Sequence, residues 1–105
     1  MSVKIRLKRM GMKPSDISVY ECNEAFAAQN LGVIRQMEIM SGQSINMDTW
    51  NPNGGAIAFG HPNGASGTRI ALSAIRHMEK AQCQFGLISS CCGGGIGVSA
   101  LFERI

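Results

Sequence analysis

Aromatic residues make up only 6% of this 105-residue chain and charged residues only 16%. No stretch approaches the ~18 to 20 consecutive apolar residues needed to span a bilayer, which excludes a transmembrane helix. The first residues also lack the apolar block and small-residue cleavage site of a secretory signal, so a cytoplasmic address is expected. Aromatic side chains are not interleaved with basic ones, and no zinc-finger or RNA-recognition signature is present, so nucleic-acid binding has no support. No C-x-x-C pair occurs, and His61 and His77 lie sixteen residues apart on unlike segments, so no structural metal is expected.

What is abundant excludes disorder: 45% of the residues are hydrophobic. A chain of this length supports one small domain, able to bury roughly 60 to 70% of its unfolded surface. Ten Lys plus Arg against seven Asp plus Glu give a net charge of +3. Lys4, Arg6, Lys8, Arg9 and Lys13 fall in the first thirteen residues, which contain no acid. Such a stripe can bind phosphate groups, although its commoner use is a solvated face on a surface element. The four cysteines, Cys22, Cys83, Cys91 and Cys92, read as free thiols, because adjacent Cys91 and Cys92 could pair with each other only in strained geometry.

Val3 to Met10 fits both a strand alternation and a helical face of Val3, Leu7 and Met10. Lys8 and Arg9 ahead of Gly11 suit a last helical turn and favour helix. Pro14 to Asp16 reads as a turn and Ile17 to Cys22 as a strand. Asn23 is a candidate N-cap, with Glu24 in the first turn of a helix whose stripe is Phe26, Ala27, Leu31, Ile34 and Met37. After a polar loop over residues 41–48, Ala56 to Phe59 reads as a short strand. Residues 65–80 read as a helix with Ile70, Ala71, Ala74, Ile75 and Met78 inward. Two strands, 85–91 and 96–102, follow. The order is that of an α/β fold with right-handed parallel crossovers.

Nine of the thirteen glycines lie in residues 54–67 or 93–97. Such runs permit positive φ and let backbone N–H groups approach a ligand, or they simply allow tight turns. Residues 60–68 have no Lys before the hydroxyl residue, so this is not a Walker A loop, and residues 93–97 do not match G-x-G-x-x-G. His61, between Gly60 and Pro62, sits where a fixed loop could hold an imidazole in a cleft. His77, in mid-helix, reads as a surface or packing residue. Cys91 ends an apolar run beside the glycines, which favours a reactive thiol, whereas alternation turns Cys92 to the opposite face.

Three segments carry a resemblance: Asn23-Glu24-Ala25-Phe26-Ala27, the stretch NPNGGAIAFGHPNGASGTR over residues 51–69, and Cys91-Cys92-Gly93-Gly94-Gly95-Ile96-Gly97. In this order they resemble the C-terminal signatures of the thiolases, which implies Claisen condensation of acyl-CoA molecules or thiolysis of a 3-ketoacyl-CoA. The resemblance covers the whole of residues 1–105 but only the last quarter or so of a thiolase. It implies that His61 activates the nucleophilic cysteine and helps bind the thioester oxygen, and that Asn23 positions a water in the same oxyanion hole. It makes Cys91 the acid/base at the substrate α-carbon and gives the Gly93 N–H to a second oxyanion hole. Cys92, at a position usually apolar, takes no role. Ketoacyl synthases share a histidine in a G-H loop but generally lack the acid/base cysteine in C-x-G-G-G, so Cys91 favours thiolase.

The fold that this implies is α/β, half of the layered thiolase architecture: a mostly parallel sheet with an antiparallel last strand and flanking helices. The substrates implied are CoA thioesters, with no metal or resident cofactor and no membrane or nucleic-acid partner. The family's acyl-accepting cysteine and much of its CoA site precede this segment, so residues 1–105 alone are expected to be inactive. Three readings follow: a catalytic C-terminal segment, an interaction subunit completing a split enzyme with an N-terminal thiolase half, or a noncatalytic remnant. An apolar face left open by the missing half favours a partner or self-association.

Overall fold

The computed structural model describes residues 2–105. Helix α1, Ser2–Met10, ends as its basic last turn anticipates, with Lys8 and Arg9 ahead of Gly11 at φ 65°. Its buried side chains are Val3 and Leu7, whereas Met10 lies outside the core. A single 3-10 turn at Pro14–Asp16 leads into strand β1, Val19–Cys22. Helix α2 spans Ala27–Ser41, and a one-turn helix α3 spans Ala56–Phe59. Helix α4, Ser66–Ala81, precedes strands β2, Phe85–Cys91, and β3, Gly97–Glu103.

The strands form one mixed sheet in the order β1-β2-β3. β1 runs parallel to β2 with Val19 opposite Gly86 and Cys22 opposite Ser89. β3 returns antiparallel, with Leu87 opposite Leu101 and Cys91 opposite Gly97. The long connection between β1 and β2 carries α2, α3 and α4, as a parallel pairing requires.

Strand alternation sends Tyr20, Cys22 and Leu87 to one face, where they meet Val3 and Leu7 of α1 and Ile34 and Met37 of α2. The other face takes α4 through Ile70, Ala74 and Met78. Gly86 is needed there, because a Cβ would lie 2.5 Å from Met78 Sδ and 3.0 Å from Val19 Cγ1. Tyr20 and Trp50 stack at 5.1 Å, and Trp50 adds a single parallel bridge to the free edge of β1.

Four local expectations are corrected. Asn23 does not cap α2: the N-cap is Phe26, and Asn23 continues β1 by donating its N–H to Ser89 O at 2.8 Å. Glu24 accordingly lies outside the helix. In the proposed stripe of α2, Ile34 and Met37 are buried, but Phe26 and Leu31 are exposed and Asn30 takes a core position. Residues 56–59 form a helical turn, not a strand, since four apolar residues alone do not distinguish the two. In α4, Ile75 turns outward, while Ser66 is buried.

Candidate active site

Asn23 stands just past β1 with 2% of its surface exposed. Its backbone is fully engaged: the N–H goes to Ser89, and the carbonyl accepts from Asn30 Nδ2 at 3.1 Å. Asn30 is fixed in turn by Trp50, whose indole N–H donates to Asn30 Oδ1 at 2.9 Å. The Asn23 Oδ1 acceptor is buried and has no partner among the described residues. An unpaired buried acceptor costs stability unless a donor such as water completes it. Asn23 borders a groove of about 460 Å³ between α4 and residues 53–59.

His61 is exposed, in the loop between α3 and α4. Gly60, at φ 81°, turns the chain, and Arg69 of α4 donates to Gly60 O and Phe59 O, bracing the loop against the helix. His61 Nδ1 lies 2.7 Å from Ser66 Oγ, and Ser66 Oγ lies 3.4 Å from Pro62 O. A consistent assignment has Nδ1–H donating to Ser66 Oγ and the hydroxyl donating to Pro62 O, which leaves Nε2 with a free lone pair.

Cys91 closes β2 and is exposed. The turn after it is tied by Cys92 N–H to Ile96 O at 2.9 Å and by Ile96 N–H to Gly93 O at 3.1 Å. Gly93, Gly94 and Gly95 have φ of 77°, 58° and 78°, a run that only glycine adopts without strain. Among the described residues, the N–H groups of these three glycines have no backbone acceptor. Cys91 and Gly93 border a cavity of about 230 Å³ under α1 and α2, which Cys92 does not line. Beside Cys91 on the same sheet face, burial pushes the Cys22 thiol up to about 11, hydrogen bonding to Gln29 opposes the rise, and charge on Cys91 adds to it.

The arrangement places Asn23 and Cys91 on adjoining strand ends, but their side chains border separate hollows and His61 lines neither. Two residues that hold the site together escaped the sequence reading. Glu24 Oε1 accepts from Asn51 Nδ2 at 3.0 Å and its Oε2 accepts from the Ile57 N–H at 2.9 Å, so it anchors the start of the loop that carries His61. Gly55 leaves room for that carboxylate, which would collide with any Cβ there. Ser66, the partner of His61, was hidden inside a run of small residues.

A family model described as "Thiolase, C-terminal domain" matches residues 1–104. This chain belongs to the thiolase family. It is 47% identical over 102 residues to the 3-ketoacyl-CoA thiolase of Serratia proteamaculans, covering 97% of this chain and 26% of that protein. The 3-ketoacyl-CoA thiolase of Klebsiella pneumoniae is also 47% identical, over 104 residues. Among solved structures, an acetyl-CoA acetyltransferase from Syntrophomonas wolfei superposes with a TM-score of 0.89 at 38% identity. That match covers 99% of this chain and 26% of the other. The thiolase segment in hand thus spans about a quarter of the length of these relatives.

Proposed function

We propose that residues 1–105 are a single thiolase C-terminal domain that supplies the acid/base part of an acyl-CoA C-acetyltransferase site. The complete reaction is Claisen condensation of acetyl-CoA with an acyl-enzyme, or thiolysis of a 3-ketoacyl-CoA in reverse. In condensation the Cys91 thiolate takes a proton from the α-carbon of acetyl-CoA, and the electron pair of that C–H bond becomes an enolate. The Gly93 N–H contributes to a second oxyanion hole. The carbon then attacks an acyl thioester on a cysteine outside this segment: a C–C bond forms, the C–S bond breaks, and the expelled thiolate takes the proton that Cys91 carries, which returns Cys91 to thiolate. His61, with Nδ1 occupied and Nε2 free, serves that cysteine and the thioester oxygen. Asn23, through its unpaired Oδ1, holds a water in the same oxyanion hole.

The observation that carries this reading is the unpaired, buried Asn23 acceptor one strand away from a thiol that borders a turn of unpaired glycine N–H groups. Preorganised donors and a positioned base are what an enolate requires. The substrates are CoA thioesters, and no metal or resident cofactor takes part. The working location is the cytoplasm.

The partner is the remainder of a thiolase fold. Phe59 and Leu72, 63% and 46% exposed, border the groove of Asn23, and Val98 on β3 is 57% exposed. Large apolar side chains around an incomplete site mark a surface to be covered. Native mass spectrometry of the tagged chain from its own cells tests this. A stoichiometric complex that cleaves a 3-ketoacyl-CoA supports the reading, and a lone inactive chain or inactive homo-oligomer contradicts it.

A further inference from the structure

A second hollow adjoins that of Cys91, with which it shares Lys4 and Met37. Helix α1, the turn after it and the end of α2 border an open groove of about 420 Å³. Three cations reach it, Lys4, Lys8 and Lys13, and no acidic side chain among the described residues lines it. Lys4 and Lys8 share a helix face by their four-residue spacing. Gly11 at φ 65° and the Met12 N–H bonded to Leu7 O at 3.0 Å fold the chain back, so that Lys13 joins them. The nearest acids in sequence have other partners: Asp16 Oδ2 accepts from the Lys13 N–H at 2.7 Å, and Glu38 Oε1 accepts from the Ile45 N–H at 3.0 Å. The rest of the lining is apolar and thioether-rich, with Leu7 and Met37 buried and Met12 and Met40 nearer the mouth.

Ammonium groups above a floor of methionine recognise a particular chemistry. A bare anion would use the lysines and leave the floor unfilled. An acyl chain would use the floor and leave the lysines unpaired. Flexible thioethers pack well against flat aromatic rings, and lysines hold phosphate as point charges. We propose that this groove binds a nucleoside phosphate, with the phosphates on Lys4, Lys8 and Lys13 and the base on Met12 and Met40. The ligand is either a free nucleotide or the nucleotide end of coenzyme A. The inference does not depend on the catalytic reading, since none of Asn23, His61 and Cys91 lines the groove.

Titration of the 105-residue chain with ADP, followed by amide NMR, tests it. Shifts are expected at Leu7, Met12, Met37 and Gln43, and saturation should be weakened by added salt. Lys8→Gln and Lys13→Gln, both at exposed positions, should each weaken ADP binding about tenfold, the loss of one charge-assisted contact. Met40→Glu should abolish it, and the amide spectra of all three variants show whether each remains folded. Failure of coenzyme A to displace ADP identifies a free nucleotide as the source. Displacement of ADP by coenzyme A together with protection of Cys91 identifies the coenzyme. Pyrophosphate binding as tightly as ADP, indifference to the lysine variants, or no shifts at millimolar ADP would overturn the proposal.

Discussion

Asn51 completes the backbone of Cys22 as a neighbouring strand would: its Oδ1 accepts from the Cys22 N–H at 2.7 Å and its Nδ2 donates to the Cys22 carbonyl at 2.9 Å. The edge of β1 is thereby closed by a side chain, and the same amide donates to Glu24. Asn51 also holds φ 45°, which Asn tolerates better than most residues. Asn51→Ala leaves two partly buried backbone groups without partners and should destabilise the fold by about 2 to 3 kcal/mol. Urea unfolding checks this through a lower midpoint at unchanged slope. A loss under about 0.5 kcal/mol would show that the amide is not holding the edge.

Glu21 is buried on the α4 face with Ser73 Oγ–H donating to its Oε1 at 2.8 Å. Burial raises its pKa above the ordinary 4.5, the Ser73 hydrogen bond opposes the rise, and the charge of Glu24 adds to it. The native state therefore keeps the proton at a pH where the unfolded chain has lost it. Stability is full below the ordinary carboxylate value and falls as pH rises through the raised one. Glu21→Gln removes that loss, so its urea midpoint should exceed that of the parent near pH 7 and converge with it near pH 4. Profiles that stay parallel across this window would contradict the assignment.

Ser66 fixes the His61 ring from one side at 2.7 Å. With the hydroxyl proton directed to Pro62 O, His61 should carry its own proton on Nδ1. Nitrogen-15 NMR of the ring reads the tautomer directly. Ser66→Ala should shift the population away from Nδ1–H and, in an assembled enzyme, lower kcat more than it changes KM. An unchanged tautomer in the variant would remove Ser66 from the site.

Local signals were legible where a local rule decides the structure. Lys8, Arg9 and Gly11 announced the end of α1, and the stripe through Ile70, Ala74 and Met78 announced α4. The error at Asn23 has a physical source: its N–H is taken by Ser89, 66 positions away in the sequence, so it extends a strand instead of capping a helix. Motifs mark Asn23, His61, Cys91 and Gly93, and their roles are proposed from them. The clasp that Glu24 and Asn51 make was not legible, because their bonds join residues 27 to 33 positions apart and no periodicity records such a clasp. Asn23 and Cys91 border separate hollows because they face opposite sides of the sheet, Asn23 toward α4 and Cys91 toward α1 and α2.

We propose Cys91 as the proton-transfer group of a thiolase site to which this segment contributes. A chimera tests it most directly, with residues 1–104 replacing the matching C-terminal quarter of a full-length 3-ketoacyl-CoA thiolase. The chimera should catalyse thiolysis and exchange the α-protons of acetyl-CoA with solvent. Cys91→Ala in the same chimera should abolish exchange while leaving acylation of the nucleophilic cysteine intact. Exchange that survives in Cys91→Ala, or equal loss of exchange and acylation in a folded variant, would contradict the account.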